Sequence, residues 1–327
     1  MRPHATLDAA ILRSNARAYG ATGVPVAAVV KADGYGWGAG RLAFMLDDIV
    51  DSYFVADVDE FRRLRACTVL PIRLLGDVPD DALEEILRAG GIPNISTLEA
   101  LRNVLRIQGT LRAPLIRLGT LRAAGWSTPN DSEWEAMQNA LAGCSVGVEL
   151  WTHVVSPDRV EATERDLLAR KAALELRKVR VVSLDVSSTG ALGMKAAQGM
   201  VRVGAGLFGA RLGGAMQNRC AITYCAPIAR RYRAGEMPRA GYGNTAIDTD
   251  ISVVRAGYAD GITQSAMGSG PIISVGMQYT TLRGWMLGPS YRFLDDESDL
   301  DALAAAWKLS PHELIVNLSR AALKVAG

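Results

Sequence analysis

Residues 26–38 read VAAVVKADGYGWG, an unbroken apolar run that passes directly into a glycine-rich turn. The run predicts a buried strand, and Lys31 stands immediately after it. α/β barrels place their catalytic groups at the C-terminal ends of strands, and a lysine amine in such a place can form a Schiff base. Taken alone, the same pattern is also typical of a surface lysine that follows a buried strand.

The rest of the chain alternates short apolar runs with amphipathic helical patterns, which is typical of a parallel sheet wrapped by helices. Eight predicted strands indicate an α/β fold with a closed (β/α)8 barrel. They span residues 24–30, 53–55, 72–75, 92–95, 115–118, 146–151, 179–182 and 201–208. Beyond residue 215, alternating patterns broken by Gly and Pro predict a mostly β domain. We therefore predict an N-terminal strand at 1–8, a barrel at 9–215 and a β domain at 216–327.

Composition and charge narrow the class of protein. The 327 residues carry a net charge of +2, with 36 basic and 34 acidic side chains mixed along the chain. We therefore expect no binding to nucleic acid or to a membrane surface. The N-terminus lacks the apolar core of a signal peptide, and four cysteines without C-x-x-C spacing indicate reduced thiols, so we expect a cytoplasmic location. Three histidines make a histidine-rich metal site improbable, and we predict no metal.

Two motifs resemble one enzyme family. Residues 29–38, VVKADGYGWG, are similar to the alanine racemase signature VVKANAYGHG, whose lysine carries pyridoxal phosphate (PLP). Residues 257–261, GYADG, match that family's second motif letter for letter, and residues 6–15 look like its first strand and helix. The resemblance identifies the chain as a divergent member. It implies PLP as cofactor, a free amino acid as the small-molecule substrate, and a homodimer with shared active sites.

The resemblance assigns the two bases of the reaction. Lys31 would hold PLP and, once released by substrate, would act as a base on one face of the α-carbon. Tyr258, in the second motif, would reach into the barrel of the other subunit and exchange the proton on the opposite face. Tyr35 would approach the phosphate. Without the resemblance, GYADG is typical of a tight loop, and Tyr35 of ordinary packing in a turn.

Two further segments resemble the phosphate site of the family. Residues 186–192, VSSTGAL, are similar to ANSAAAL and place Ser188 at the serine that donates to phosphate. Residues 201–209, VRVGAGLFG, resemble RPGIALYG, so Gly204 and Ala205 would offer backbone donors. Small-residue turns that open a helix suit anions. On its own, a Ser-Ser-Thr-Gly run is more typical of a loop or an N-cap.

The same alignment places Arg202 on the arginine that faces the pyridine nitrogen. A guanidinium keeps its proton at working pH, so it leaves that nitrogen unprotonated and weakens the ring as an electron sink. Proton exchange at the substrate α-carbon is then favoured over transamination. Decarboxylation remains an alternative reaction. Residues 147–153, GVELWTH, look like the family's G-l-f-T-H-F and place His153 beside the cofactor ring; alone, such a histidine is more often structural.

Several positions depart from the family pattern. The family's arginine that holds the substrate carboxylate falls on Ala124. We therefore expect Arg117 to supply the missing cation, with Arg122 as the second candidate. Met277 and Gln278 stand where Met-Asp normally closes the alanine pocket. These changes predict a substrate other than plain alanine.

The end of the chain carries a further departure. Residues 313–320 resemble the family's closing segment, with Arg320 near its phosphate tyrosine. Arg320 would bind phosphate through charge-assisted hydrogen bonds, or it is a solvated helix residue.

We interpret the chain as an amino-acid racemase or epimerase. Three alternatives stay open from the residues: a PLP-dependent decarboxylase or lyase on the same scaffold, a non-catalytic PLP-binding protein, and a barrel aldolase that uses Lys31 without PLP.

Overall fold

The structure, a computed structural model, describes residues 2–21, 23–107, 115–119, 129–154, 157–187, 199–211, 216–237, 239–240 and 245–322. A closed parallel barrel of eight strands follows an N-terminal strand, β1 (His4–Leu7). The barrel strands are β2 (Val26–Val29), β3 (Ser52–Val55), β4 (Ile72–Asp77), β5 (Gly91–Asn94), β6 (Leu115–Gly119), β7 (Gly147–Trp151), β8 (Arg180–Ser187) and β9 (Met200–Val203). The predicted α/β barrel is confirmed. β2 closes it by pairing with both β3 and β9.

Helices separate the barrel strands and cover their outer faces. They are α1 (Ala9–Gly20), α2 (Lys31–Tyr35), α3 (Ala39–Leu46), α4 (Val58–Arg65), α5 (Asp80–Arg88), α6 (Leu98–Ile107), α7 (Asp131–Leu141), α8 (Val160–Leu176) and α9 (Ala205–Phe208). Side-chain caps start several of them. Asp8 accepts a hydrogen bond from Ile11 N at 3.0 Å, and Asp57 accepts one from Glu60 N at 2.9 Å, which satisfies amides that the first turn leaves free.

The last barrel strand is shorter than predicted. We expected a strand over residues 201–208, but it ends at Val203 and the short helix α9 follows. Two tyrosines occupy the space that side chains would need here. A Cβ at Gly204 would lie 2.2 Å from the Tyr35 hydroxyl, and a Cβ at Gly206 would lie 2.4 Å from the Tyr19 hydroxyl. The glycines therefore let the chain turn tightly against the barrel rim.

The C-terminal region is rich in antiparallel strands. They are β10 (Ile222–Tyr232), β11 (Arg239–Ala240), β12 (Thr245–Ala246), β13 (Ile251–Val254), β14 (Ile272–Val275), β15 (Thr280–Arg283) and β16 (Ser290–Leu294), followed by helices α10 (Leu300–Ala306) and α11 (Pro311–Ala322). The main sheet has the order β1-β10-β13-β15-β14, so the N-terminal strand joins this sheet. A turn joins β14 to β15, in which Gly276 N donates to Tyr279 O at 2.8 Å. The domain boundary near residue 215 stays a prediction, since residues 212–215 lie outside the described chain.

Helix α11 packs against the turn that carries Lys31. The Trp37 indole nitrogen donates to Ile315 O at 3.2 Å. A Cβ at Gly36, whose φ is +81°, would lie 2.2 Å from the Ser319 hydroxyl. The close approach therefore requires glycine, both for space and for the left-handed backbone. In the part of the chain that the structure describes, no helix has the length and apolar character needed to cross a membrane.

The barrel interior holds a cluster of charges. Arg73 donates two hydrogen bonds to Glu149, both 2.7 Å long, and both side chains are buried. Arg117 and Asp185 lie beside them, with 3.4 Å between Arg117 Nη2 and Asp185 Oδ2. Buried charges are tolerated only when they are paired and hydrogen-bonded, so this cluster constrains how the strands can pack.

Replacing Glu149 by Gln leaves Arg73 and Arg117 with one carboxylate fewer inside the barrel. We expect the free energy of unfolding to fall by about 3 kcal/mol, because a broken buried pair leaves an uncompensated charge. Urea unfolding followed by tryptophan fluorescence measures the change. Glu84→Gln is the matched control, since Glu84 pairs with Arg88 on the surface and its loss costs less than about 1 kcal/mol. Equal effects of the two substitutions would contradict the prediction.

Candidate active site

Lys31 stands at the C-terminal end of β2 and opens into a cavity of about 380 Å³. One wall comes from α2 and the other from α11. The lining residues are Lys31, Ala32, Tyr35, His312, Glu313, Val316 and Asn317. The structure thus brings the predicted Lys31 and Tyr35 together, at the end of the barrel where such folds place their chemistry.

The residues after Lys31 form a left-handed turn. The φ angles of Ala32, Asp33 and Tyr35 are 53°, 50° and 58°. For residues with a Cβ this conformation costs about 1–2 kcal/mol each. Hydrogen bonds hold the turn: the Asp33 carboxylate accepts from Ala39 N at 2.9 Å, and the buried Glu60 carboxylate accepts from Asp33 N at 3.2 Å. Strain of this kind persists only where the surroundings enforce it, often at functional sites.

The surroundings of Lys31 favour a neutral amine. Burial lowers the pKa of Lys31, the negative charge of Glu60 raises it, and the positive charge of Arg202 lowers it again. The net direction is downward. A larger fraction of the amine is therefore unprotonated at neutral pH, which is the form that attacks an aldehyde.

Tyr35 and Gly204 meet at the rim of the barrel. The space beside Gly204 is filled by the Tyr35 hydroxyl, and the Tyr35 ring packs edge-on against Phe208, with 5.6 Å between ring centroids. Burial raises the pKa of Tyr35, so its hydroxyl stays protonated and can donate a hydrogen bond. Gly204 and Ala205 start α9 next to this hydroxyl. Three of the predicted phosphate donors, Tyr35, Gly204 and Ala205, therefore lie together.

Arg202 lies buried on β9, close enough to Lys31 to lower its pKa. Its Nη2 donates to the Thr152 carbonyl, while its Nη1 has no hydrogen-bond partner within the described ranges. Burial, and next the charge of Arg117, lower the pKa of Arg202 to about 9, which leaves the guanidinium charged at neutral pH. An unpaired buried donor costs about 1–3 kcal/mol. An aromatic nitrogen acceptor such as that of PLP would satisfy it, so the residues present fit this cofactor.

His153 follows β7 and belongs to the same group of charges. Partial burial, then the positive charges of Arg202, Lys31 and His312, lower the pKa of His153 to about 4, although much of its surface is exposed. The imidazole is therefore neutral at pH 7. Its electrostatic coupling to Lys31 and Arg202 is compatible with the predicted place beside a cofactor ring.

The placement of Arg117 requires a correction. Its side chain is fully buried, Nη1 donates to Leu74 O at 3.0 Å, and Asp185 and Glu149 balance its charge at 3.4 and 3.7 Å. Such an enclosed guanidinium presents no donor to the cavity. The structure argues against the predicted contact with a substrate carboxylate, and we assign Arg117 to the barrel interior.

Three predicted residues gather on the C-terminal domain instead. Tyr258 N donates to Gly276 O and Ala259 N to Met277 O, both at 3.0 Å, so Tyr258 lies beside the exposed Met277 and Gln278. None of the three lines the Lys31 cavity. Within one chain, therefore, the second predicted base and the predicted substrate residues are not among the residues that line the cavity of the first base.

Arg320 lies at the surface of α11, in the position of a solvated helix residue, which was one of its two predicted roles. It is exposed, and its Nη1 donates to the Tyr258 carbonyl at 3.3 Å rather than lining the cavity. Four residues of α11 line the cavity with Lys31 and Tyr35, and one of them is His312, which the sequence did not single out. No local pattern singled out His312, because its place at the cavity depends on how α11 packs against the turn after β2. Ser188, Arg122 and Ala124 lie outside the described residues.

Comparison with known proteins gives a consistent picture. Residues 7–212 match the family model described as the N-terminal domain of alanine racemase. The alanine racemase of Xanthomonas axonopodis pv. citri is 29% identical over 355 residues, covering 98% of this chain and 95% of the relative. That of Pseudomonas entomophila is 31% identical over 303 residues, covering 84% and 81%.

Solved structures share the fold. The crystal structure of alanine racemase from Bartonella henselae, with covalently bound pyridoxal phosphate, aligns with a TM-score of 0.85 at 20% identity and covers 97% of both chains. The biosynthetic alanine racemase from Pseudomonas aeruginosa aligns with a TM-score of 0.82 at 23% identity, again over 97% of both chains. The barrel and the C-terminal strands therefore have the arrangement of these enzymes.

Replacing Glu60 by Gln should move the pH dependence of covalent PLP attachment to lower pH. The carboxylate raises the pKa of Lys31, so its removal lowers that pKa further and the amine becomes neutral at lower pH. Attachment is measured across pH 6–10, about the range in which a lysine with a lowered pKa titrates. The imine is trapped by borohydride at timed intervals and quantified by mass. A plot of the attachment rate against pH then gives the midpoint of the titration. Glu85→Gln is the control, because Glu85 pairs with Arg62 on the surface. An unchanged or higher midpoint would refute the prediction.

Replacing Gly204 by Ala should weaken PLP binding by at least about tenfold, because the new methyl group displaces the Tyr35 hydroxyl. Gly20→Ala serves as the comparison, since its Cβ meets only an ordinary contact, 3.5 Å from Val26. Binding is measured by equilibrium titration of the apoprotein, and thermal unfolding checks that both variants fold. Equal affinity of the two variants would show that the contact between Tyr35 and Gly204 does not shape the site.

Proposed function

Because this chain belongs to the alanine racemase family, we propose that it is a PLP-dependent amino-acid racemase in which Lys31 and Tyr258 exchange the α-proton. The observation that carries the proposal is the buried Nη1 of Arg202, an unpaired donor whose charge is coupled to Lys31. The Lys31 amine, with its lowered pKa, suits the aldehyde of PLP, and the unpaired guanidinium donor of Arg202 suits its pyridine nitrogen. A barrel aldolase would have no use for the second group.

The residues have separate tasks in this reaction. PLP, when bound, supplies a sink for the electrons left at the substrate α-carbon. The Lys31 amine holds the cofactor and then takes or returns a proton on one face of that carbon. Arg202 keeps its own proton and donates a hydrogen bond to the ring nitrogen, which limits how far negative charge spreads into the ring. Tyr35, Gly204 and Ala205 hold the phosphate, and His153 packs beside the ring as a neutral imidazole.

We further propose that the active form is a homodimer with shared sites. Tyr258 is half-buried beside Met277 and Gln278, and none of these side chains lines the Lys31 cavity of the same chain. A proton exchange with two bases needs one group on each face of the α-carbon. A second copy of the chain can present Tyr258 to the cavity, and a two-fold axis would then create two equivalent sites.

The substrate that we propose is an amino acid other than plain alanine. Ala124 replaces the arginine that the family uses for the carboxylate, and Met277 and Gln278 replace its Met-Asp pair. A neutral amide in place of an acid favours a larger or polar side chain. We place the enzyme in the cytoplasm, which agrees with four cysteines that form no disulfide.

A single experiment tests the reaction, the bases and the sharing of sites. Deuterium exchange at the α-carbon is measured across a panel of L- and D-amino acids. Racemisation gives labelled amino acid of both configurations, whereas decarboxylation releases carbon dioxide. We expect exchange with at least one amino acid other than alanine, and loss of racemisation in both Lys31→Ala and Tyr258→Phe. Tyr232→Phe, on the same domain as Tyr258, is the control for phenol removal and should stay active.

Mixing the two inactive variants then reports on the dimer. Random exchange of subunits makes about half of the dimers mixed, each with one intact site, so about a quarter of the wild-type activity should return. If Tyr258 served Lys31 of its own chain, mixing would restore nothing. A protein that exchanges no amino acid at all would favour the non-catalytic alternative.

A further inference from the structure

The residues assigned so far to the phosphate lack a formal charge. Tyr35, Gly204 and Ala205 contribute a hydroxyl and backbone amides, while a phosphate monoester carries about −1.5 to −2 charges at pH 7. Many phosphate sites balance that charge with a cation. The described part of this site contains one group, not yet used, that could do so.

That group is His312, in the first turn of α11. It lines the same cavity as Lys31, and its ring centroid lies 6.0 Å from that of Tyr35. The Tyr35 hydroxyl in turn reaches Gly204. His312 therefore stands on the cavity side of the predicted phosphate donors.

We propose that His312 binds the 5′-phosphate of the cofactor as an imidazolium, so that cofactor binding draws one proton from solvent onto this side chain. The inference rests on the proposed function, because it takes PLP as the occupant of the cavity. It adds a charged phosphate ligand that the sequence resemblance did not assign, and it makes cofactor affinity depend on pH.

The charges around His312 set the direction of that dependence. Burial and then the positive charge of Lys31 lower the pKa of His312, while Asp301 and Glu313 raise it, with a net shift downward. His153 is electrostatically coupled to His312 and is neutral at pH 7, because its pKa is lowered to about 4. Tyr35 packs against His312 with a protonated hydroxyl. In the free protein the imidazole is therefore mostly neutral above pH 6.5 (about the ordinary histidine pKa).

Glu313 does not compete for the phosphate site as a free charge. Its carboxylate accepts hydrogen bonds from both Ser310 N and Ser310 Oγ, each at 2.8 Å, and so caps the start of α11. A phosphate dianion beside His312 would raise the pKa of the imidazole, because an opposite charge within a few ångströms favours the charged form. Affinity for PLP should then rise as pH falls, until the phosphate itself takes up a proton near pH 6 (about its second pKa).

The test compares PLP with pyridoxal, which has the aldehyde and the ring but no phosphate. Dissociation constants of both ligands are measured at pH 6.5, 7.5 and 8.5 (values between about 6 and 9, where the imidazole titrates) on wild-type apoprotein and on His312→Asn. Any tendency of pyridoxal to close on itself cancels in the ratio of wild type to variant. His4→Asn is the control, because His4 is an exposed histidine on β1.

We expect His312→Asn to weaken PLP binding by about tenfold or more at pH 6.5 and to leave pyridoxal binding within about twofold. The preference of the wild type for PLP over pyridoxal should grow as pH falls, and that growth should disappear in the variant but persist in His4→Asn. Calorimetry in buffers of different ionisation enthalpy should show proton uptake on PLP binding that His312→Asn loses.

Equal losses for the two ligands would mean that His312 only shapes the cavity, and no loss would remove it from the site; either result overturns the inference. Failure of the wild type to bind PLP or pyridoxal would instead refute the proposed function. His312→Gln provides a second variant if His312→Asn does not fold.

Discussion

The site depends on the left-handed turn that follows Lys31. A lysine at the end of β2 would continue outward from the barrel if the chain went on in an ordinary helical conformation. The positive φ angles of Ala32, Asp33 and Tyr35 instead fold the chain back, so that Lys31 and Tyr35 face one cavity. The strain is offset by Glu60, in the first turn of α4, and by the docking of α11. The reactive amine is thus fixed by contacts that come from distant parts of the chain.

The charges around this turn are mostly positive. Burial lowers the pKa values of Lys31, Arg202, His153 and His312; in addition, Arg202 lowers those of Lys31 and His153, and Lys31 lowers those of both histidines. Mutual repulsion and burial keep the lysine and the two histidines nearer to their neutral forms, which suits nucleophilic attack and proton transfer. An anionic ligand would relieve the same repulsion. The site is therefore arranged to gain free energy from binding a phosphate and a carboxylate.

Sequence patterns predicted the barrel well, because parallel strands buried on both faces leave continuous apolar runs. They failed at the end of the last strand, where Gly204 turns the chain away since the Tyr35 hydroxyl occupies the adjacent space. They did not decide the roles of two arginines. Position in the chain made Arg117 and Arg320 plausible anion ligands, but Arg117 is neutralised inside the barrel and Arg320 bonds to the backbone at Tyr258. Whether a cation is free or paired depends on residues far away in sequence.

The sequence by itself determined the fold class, the position of Lys31 after a strand, and the two motifs that indicate the family. These features are local, since periodicity and short motifs are read within about ten residues. Only the tertiary structure decided that His312 faces Lys31 and that Tyr258 lies outside the cavity of its own chain. Both results come from how α11 packs onto the turn after β2, through Trp37 and Gly36. Packing between segments nearly 280 residues apart follows from shape and buried contacts (the Trp37–Ile315 bond spans 278 positions), and no local pattern encodes it.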